Sequence, residues 1–221
     1  MKVGTDSIML GSWIQTKNAQ NILDIGTGSG LLAIMLAQKS QGFCLIDGID
    51  VDPAAISQAK DNANNCPWAK RLTFYYTSIQ QFSFRTGYDL IVSNPPYFPV
   101  NVSANNSRSA QSRPNARQTI ELDHPTLLQE VTKHLSDNGR FCCVLPLDAA
   151  KLFIEQAESV GLYCSLELHV QPKHDTHVTR LLLEFSRIKK VKICEKLSIN
   201  NPLGNYTKEY IALCKDFYFN F

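Results

Sequence analysis

Three closely spaced glycines and two acidic residues are the first candidates for a binding site. Gly26, Gly28 and Gly30 follow a short apolar run, and Asp24 stands two residues before the first of them. Glycines in such a turn let the backbone approach a ligand closely, because they carry no side chain and adopt conformations closed to other residues. Asp50 lies twenty residues beyond the last glycine, where an acid can accept hydrogen bonds from ribose hydroxyls. The combination predicts a cofactor that contains a nucleoside.

The spacing of the glycines favours one class of cofactor over another. Dinucleotide enzymes use G-x-G-x-x-G, whereas this chain has G-x-G-x-G preceded by Asp24. The pattern resembles the S-adenosylmethionine site of class I methyltransferases. That cofactor has no phosphate and carries an ammonium and a sulfonium, so an acid suits it, whereas the same acid would repel a diphosphate. The alternative without a ligand is an ordinary tight turn between a strand and a helix.

A second motif, Asn94-Pro95-Pro96-Tyr97, follows another apolar run. It resembles the signature of methyltransferases that modify planar, conjugated nitrogens such as adenine N6, guanine N2 and glutamine amides. The lone pair of such a nitrogen is delocalised, which makes it a poor nucleophile. We expect the Asn94 side-chain carbonyl and the Pro95 backbone carbonyl to accept the two N–H bonds, which directs the lone pair toward the methyl group. The prolines stiffen the turn, and Tyr97 offers a ring for stacking of an extruded base.

Alternating strands and helices must position both motifs. We predict strands at residues 21–25, 44–49, 72–76, 88–92, 140–145, 162–170 and 179–186, and helices at residues 31–38, 54–65, 125–135 and 148–160. Asp52 and Asp148 are expected to cap helices, and Gly161 to end one. The pattern indicates an α/β, Rossmann-like fold with a seven-stranded, mostly parallel sheet and helices on both faces. No crossover helix separates the last two strands, so we expect the last strand to be antiparallel.

Composition indicates one globular domain. The 221 residues are 44% hydrophobic and 19% charged, which is enough for one sizeable core and excludes a disordered chain. No secretory leader or membrane-spanning stretch is visible, so we expect a cytoplasmic protein with no membrane partner. The seven cysteines include no C-x-x-C pair and lie at no metal-ligand spacing from the histidines, so we expect buried free thiols and no metal. The net charge of +2 permits a nucleic-acid partner without requiring one.

The start of the chain narrows the resemblance to one family. Residues 1–13, Met-Lys-Val-Gly-Thr-Asp-Ser-Ile-Met-Leu-Gly-Ser-Trp, resemble the segment ahead of the fold core in the bacterial tRNA1(Val) adenine-N6 methyltransferase family. The similarity continues through residues 23–36, 79–81, 93–97 and 122–125 and the aromatic residues Tyr206, Tyr210, Phe217 and Tyr218. The resemblance covers nearly the whole chain. It implies a class I Rossmann-like fold, S-adenosylmethionine as the cofactor, and methyl transfer to N6 of adenine 37 beside the anticodon of that tRNA.

The resemblance also implies roles for individual residues. The cofactor-binding residues would be Thr5, Asp6, Asp24, Gly26, Gly28, Gly30, Asp50, Ser78, Ile79 and Asn94, and the catalytic residues Asn94, Pro95, Pro96 and Tyr97. Family members usually offer an aspartate to the cofactor's adenine amine where this chain has Ser78, so we expect an uncharged hydrogen bond and lower affinity. The chain is expected to form a single domain, with a cofactor-side segment at 1–18, the core at 19–186 and a C-terminal extension at 187–221.

Two groups of basic residues are candidates for contact with tRNA phosphates. The first follows the Asn-Pro-Pro-Tyr motif directly and comprises Arg108, Arg113 and Arg117. The second lies between residues 187 and 196 and includes Lys189, Lys190 and Lys192. We expect the first group to contact RNA, because it lies in an irregular stretch beside the target pocket. For the second group, a solvated basic face is the alternative. The expected partner is a tRNA, bound by a monomer.

Three other functions remain open. One is that of another nucleic-acid amino methyltransferase with the Asn-Pro-Pro-Tyr motif. Release-factor glutamine methyltransferases also use Asn-Pro-Pro-Tyr, but they usually carry a larger N-terminal helical domain, for which this chain has no room. A binding module that kept the fold without catalysis is the alternative from another class. The intact motif at residues 94–97 argues against that alternative.

Overall fold

A computed structural model describes residues 4–83, 85, 87–95 and 122–218. The strands are β1 (Asn21–Ile25), β2 (Leu45–Asp50), β3 (Leu72–Tyr76), β4 (Tyr88–Ser93), β5 (Leu135–Pro146), β6 (Tyr163–Lys173), β7 (Arg180–Ser186) and β8 (Ile193–Asn200). The α-helices are α1 (Thr5–Trp13), α2 (Leu31–Lys39), α3 (Pro53–Asn64), α4 (His124–His134), α5 (Leu147–Ser159) and α6 (Lys208–Cys214). Each predicted strand and helix therefore has a counterpart in the structure.

The strands form one sheet in the order β3-β2-β1-β4-β5-β7-β6-β8. The strands from β3 to β5 in this order are parallel, and β7 runs antiparallel to both β5 and β6, as predicted. The predicted count of seven strands is wrong, because β8 adds an eighth strand, parallel to β6. The last strand along the chain is therefore not the antiparallel one. Most residues of β8 are exposed or half-buried at the sheet edge, so its sequence lacks the apolar pattern that marks the other strands.

Helix ends follow the local sequence with one exception. The Asp52 carboxylate accepts a hydrogen bond from the Ala54 N–H at 2.9 Å, which confirms the predicted cap of α3. Gly161 lies just beyond α5 with φ +80°, as expected for a helix-ending glycine. Asp148 does not cap α5, because the helix starts at Leu147 and the capping residue is Pro146. An acidic residue in the first turn still interacts favourably with the helix dipole.

Two apolar layers cover the sheet. Helices α1, α2, α3 and α6 pack on one face, and α4 and α5 pack on the other. All seven cysteines are free, as expected, and four of them are buried. Cys66 and Cys164 are half-buried and Cys194 is exposed on β8, contrary to the expectation that the thiols are buried. Within the described ranges, no helix has the length and apolar character needed to cross a membrane.

Candidate active site

The segments with predicted chemistry meet at one edge of the sheet. Strands β3, β2, β1 and β4 are adjacent and parallel, so the residues that follow them lie side by side. The strand register pairs Ile25 with both Ile49 and Ser93. The next residues along these three strands are Gly26, Asp50 and Asn94. Because β1 lies between β2 and β4, the glycine turn starts between Asp50 and Asn94. Ser78 follows β3 at the same edge. The carboxyl edge of a parallel sheet is where such folds bind ligands.

The glycine turn adopts a backbone that requires its residue types. Gly26, Gly28 and Gly30 have φ values of 71°, 55° and 77°, in the left-handed region that other residues rarely adopt. A Cβ added to Gly30 would lie 3.1 Å from both the Ala59 Cβ and the Phe74 ring, so this glycine also permits close packing. A Cβ on Gly26 would meet nothing within 4 Å. The turn therefore packs tightly at its helix end and leaves room above its start.

Asp50 holds the turn in place. One carboxylate oxygen accepts a hydrogen bond from the Gly28 N–H at 2.8 Å, and the other accepts one from the Asp52 N–H at 2.9 Å. Each carboxylate oxygen has a second acceptor position. The same carboxylate is thus able to fix the turn and to accept hydrogen bonds from ribose hydroxyls.

Asp24 lies beneath the turn and is only 1% exposed. The Thr27 hydroxyl donates a hydrogen bond to its carboxylate at 2.7 Å. Burial is the largest influence on this group and raises the pKa of Asp24 to about 7, and the charge of Asp50 acts in the same direction. A pKa near 7 means that the protonation of Asp24 changes near neutral pH.

The loop after β3 is tied to the neighbouring strand. The Thr77 N–H donates to the Asp50 carbonyl at 3.0 Å, which keeps the half-buried Ser78 beside the acid. Ile79 is buried in the apolar layer that includes Ile25 and Ile49. The arrangement leaves Ser78 better exposed to a ligand than Ile79.

Asn94 is fixed on both sides. The Ser93 hydroxyl donates to the Ile25 carbonyl at 2.9 Å, which holds the end of β4 against β1. The Asn94 side-chain nitrogen donates to the Ser7 hydroxyl oxygen at 2.9 Å, and Pro95 is buried. Pro96 and Tyr97 lie outside the described residues, so their predicted roles stay predictions.

Helix α1 reaches the same edge of the sheet. The Asp6 carboxylate forms an ion pair of 3.0 Å with the Arg180 guanidinium, and Thr5 is exposed. Arg180 opens the antiparallel strand β7, so it lies beside Pro146 at the end of β5. Ser7 and Arg180 were not predicted as site residues. Ser7 lies in the segment at residues 1–13 that carries the family resemblance, and it follows Asp6 directly, whereas no sequence signal identified Arg180.

The structure describes only the second of the two basic groups. Arg108, Arg113 and Arg117 lie outside the described residues. Two of the three lysines form ion pairs within the chain, Lys189 with Glu158 at 2.9 Å and Lys192 with Glu167 at 2.7 Å. Lys190 is exposed. Phosphate contacts from this face must compete with acidic partners.

Three side chains on β6 and β8 are of types that can bind a metal ion, although the sequence predicts no metal. Glu167, His169 and Cys194 each offer one possible ligand atom, and these atoms lie within 4.8 Å of one another. The Lys192 ammonium and the His169 ring already occupy the two Glu167 oxygens. The absence of a metal site stays a prediction.

Comparisons with known proteins agree with the site geometry. Residues 2–111 match the family model "Methyltransferase small domain". The curated tRNA1(Val) (adenine(37)-N6)-methyltransferase of Pseudoalteromonas atlantica is 44% identical over the whole of this chain and 93% of its own length. The protein of the same name from Pectobacterium carotovorum is 41% identical over 99% of this chain and 87% of its own.

Solved structures share the fold at low sequence identity. A protein from Agrobacterium tumefaciens described as a predicted O-methyltransferase has a TM-score of 0.69 at 12% identity, and the match covers 96% of each chain. A SAM-dependent methyltransferase from Corynebacterium glutamicum has a TM-score of 0.54 at 18% identity, covering 83% of this chain and 88% of its own. The fold is thus the Rossmann-like fold of class I methyltransferases, whose cofactor is S-adenosylmethionine. Together with the full-length identity, these findings show that the chain belongs to the tRNA1(Val) (adenine(37)-N6)-methyltransferase family.

Proposed function

We propose that the protein transfers a methyl group from S-adenosylmethionine to N6 of adenine 37 in tRNA1(Val). The observation that carries the proposal is the position of Asn94 beside the glycine turn, at the edge where Asp50 also lies. The curated relatives that span the whole chain carry this activity in their names. Methyl donor and target amine would therefore meet between the turn and the motif.

The residues of the turn fit this cofactor. Open space above Gly26 admits a ligand, and the Asp50 carboxylate has acceptor positions for ribose hydroxyls. Asp24 favours a cationic ligand because its ionised form would interact with the positive charge. Thr5, Asp6, Ser78 and Ile79 are proposed to complete the binding site. S-adenosylmethionine supplies an electrophilic methyl group on a sulfonium, so no strong base is needed before transfer.

The target nitrogen requires positioning rather than deprotonation. We assign the Asn94 side-chain oxygen and the Pro95 carbonyl as acceptors of the two adenine N6–H bonds. Holding both hydrogens points the nitrogen lone pair at the methyl carbon, and such positioning accounts for much of enzymatic rate enhancement. Pro96 stiffens the motif, and the Tyr97 ring stacks on the base after it leaves its own stack.

A tRNA requires cationic contacts outside the pocket. Arg108, Arg113 and Arg117 are proposed to bind phosphates beside the target base, with a smaller contribution from Lys189, Lys190 and Lys192. The enzyme is proposed to be a monomer. It acts in the cytoplasm, where its tRNA substrate is found, and uses no metal.

Nucleoside analysis tests the proposal directly. Total tRNA is incubated with enzyme and S-adenosylmethionine, digested, and analysed by mass spectrometry for N6-methyladenosine at position 37 of tRNA1(Val). Unmethylated tRNA1(Val) made by transcription is the substrate control, and the Asn94→Ala variant is the enzyme control. A release factor is tested in parallel. Detection of methylglutamine on that protein, or of N2-methylguanosine in the tRNA, would show that the enzyme has that activity instead of the proposed one.

A further inference from the structure

The Asn94 side chain has two ends of opposite hydrogen-bonding character. Its oxygen accepts and its nitrogen donates, and a half turn of the amide exchanges them with little change in shape. Only the oxygen can accept a hydrogen from the adenine amine. If the nitrogen faced the target, two donors would meet and the amine would be repelled. The proposed reaction thus requires one of two nearly isosteric orientations.

Ser7 engages the nitrogen end of this amide. The Asn94 nitrogen donates to the Ser7 hydroxyl oxygen at 2.9 Å, although the two residues are 87 positions apart in the chain. The amide oxygen and nitrogen diverge by about 120° around the same carbon, so the oxygen points away from Ser7. In the orientation that the structure shows, the acceptor is therefore directed away from helix α1.

The position of Ser7 is itself fixed at both ends of its helix. Next to Ser7, the Asp6 carboxylate pairs with Arg180 at 3.0 Å, which joins the first turn of α1 to β7. At the other end, the Lys39 ammonium donates to the Gly11 carbonyl at 3.0 Å and to the Ile14 carbonyl at 2.6 Å. Met9 and Leu10 of the helix are buried in the core. The serine hydroxyl is thus presented by a rigid element.

We infer that Ser7 is a positioning residue, which holds the Asn94 amide with its oxygen toward the target amine. The inference rests on the proposed function and assigns Ser7 no contact with substrate or cofactor. Removal of the hydroxyl deletes the hydrogen bond that favours this orientation of the amide, so a fraction of enzyme molecules would present the wrong end. Turnover should then fall while binding of the cofactor stays unchanged.

The test compares variants of one helix in the complete protein with tRNA and S-adenosylmethionine. Ser7→Ala removes the acceptor, Ser7→Thr keeps a hydroxyl, and Ser12→Ala is the matched control further along α1. For Ser7→Ala we expect kcat to fall about 3- to 10-fold, the effect of one neutral hydrogen bond, with cofactor Kd and tRNA KM within about twofold. Ser7→Thr should restore most of kcat, and Ser12→Ala should leave it unchanged. Equal kcat for Ser7→Ala and the wild type would overturn the inference, as would a Ser7→Thr variant as slow as Ser7→Ala.

A double-mutant cycle separates positioning from a general structural effect. In an Asn94→Ala background, measured in single turnovers, Ser7→Ala should change the rate by less than about twofold, because the amide is already gone. An equal loss in both backgrounds would contradict the inference. If Ser7→Ala does not fold, Ser7→Cys takes its place, because a thiol keeps the size and is only a weak acceptor. A wild-type enzyme that forms no N6-methyladenosine would overturn the proposed function and this inference together. An active wild type whose kcat does not change when Ser7 is substituted would overturn the inference alone.

Discussion

Asn94 joins the strand scaffold to the proposed reaction. Its backbone is fixed by the Ser93 hydrogen bond to β1, and its side chain by Ser7. Because the amide is assigned to the target amine, Asn94→Ala should leave cofactor affinity within a few fold. Loss of one preorganised polar contact of this kind lowers the rate by about 100- to 1,000-fold. Single-turnover rates and calorimetric cofactor titrations measure the two effects, and a variant with more than a tenth of the wild-type rate would contradict the role.

Asp24 should make the stability of the ligand-free protein depend on pH. Its pKa is about 7 in the folded protein, above the ordinary value of 3.8, mainly because the carboxyl is buried. Because the pKa is higher in the folded protein than in the unfolded chain, the contribution of Asp24 to stability is full below about pH 4. That contribution is lost as the pH rises from about 4 through 7. The free energy of unfolding should therefore fall by about 1.4 kcal/mol per pH unit across this window, relative to Asp24→Asn. Urea titrations of both proteins between pH 4 and 8 measure the difference. A constant difference would refute the assignment.

The same carboxyl predicts how cofactor binding responds to pH. A bound cation favours the ionised form of Asp24, so binding should release a proton near neutral pH. Affinity for S-adenosylmethionine should rise from pH 6 to 8 in the wild type and stay flat in Asp24→Asn. Calorimetry in buffers of different ionisation enthalpy counts the released protons.

At the scale of elements, the glycine turn connects β1 to α2 and packs against α3. The contacts of Gly30 with Ala59 and Phe74 set the distance between the turn and helix α3, whereas Gly26 faces open space. Asp50 adds a polar link from β2 to the middle of the same turn. The geometry of the turn therefore depends on the packing beneath it as well as on its own sequence.

Two alanine substitutions separate these contributions. Gly26→Ala and Gly30→Ala both place a side chain at positive φ, which costs roughly 1–2 kcal/mol. Gly30→Ala also forces a methyl group against the Ala59 backbone, so it should lose a further 1–3 kcal/mol or so by overpacking. Urea unfolding of the ligand-free variants gives both values. Equal losses would show that packing at Gly30 relaxes without strain.

Helix α1 shows how an element outside the parallel core contributes to the site. Its last turn is held by Lys39, whose pKa is lowered to about 8 mainly by burial. Its first turn is held by Arg180. The helix therefore links the face of the sheet to the carboxyl edge, and it brings Asp6 and Ser7 to the motif that follows β4.

At the scale of the whole molecule, the distribution of charge decides how RNA can bind. Lys189 and Lys192 are paired with Glu158 and Glu167, so breaking these pairs offsets part of any phosphate contact. The arginines after the Asn-Pro-Pro-Tyr motif are closer in sequence to the target pocket. We therefore expect them to dominate tRNA affinity.

Salt dependence distinguishes the two basic groups. Neutralising Arg108, Arg113 and Arg117 together should weaken tRNA binding and reduce the slope of log K against log salt by about 0.7–0.9 for each lost phosphate contact. The matched control is Lys189, Lys190 and Lys192 changed to glutamine, for which we expect a smaller change. Filter binding between 50 and 200 mM salt measures both slopes. A larger effect of the lysine variant would indicate that the RNA binds to the face around β8.

The sequence by itself determined the elements with strong local signals. Apolar runs bounded by turns identified the first seven strands, and Asp52 with its proline identified the start of α3. The glycine spacing predicted the turn at residues 26–30, because a turn of this kind requires glycine whatever surrounds it. With Asp50, it also predicts where the cofactor binds. The motif at residues 94–97 similarly carries its chemistry in adjacent residues.

Only the tertiary structure decided the contacts between distant segments. Strand β8 is an exposed edge whose pairing with β6 depends on backbone hydrogen bonds, which leave little trace in a polar sequence. The pKa of Asp24 depends on its burial beneath the turn, and the hydrogen bond of Asn94 depends on where α1 packs. The ion pair of Asp6 with Arg180 joins residues 174 positions apart. Such contacts arise from the packing of whole elements, so local residue types and spacing contain no record of them.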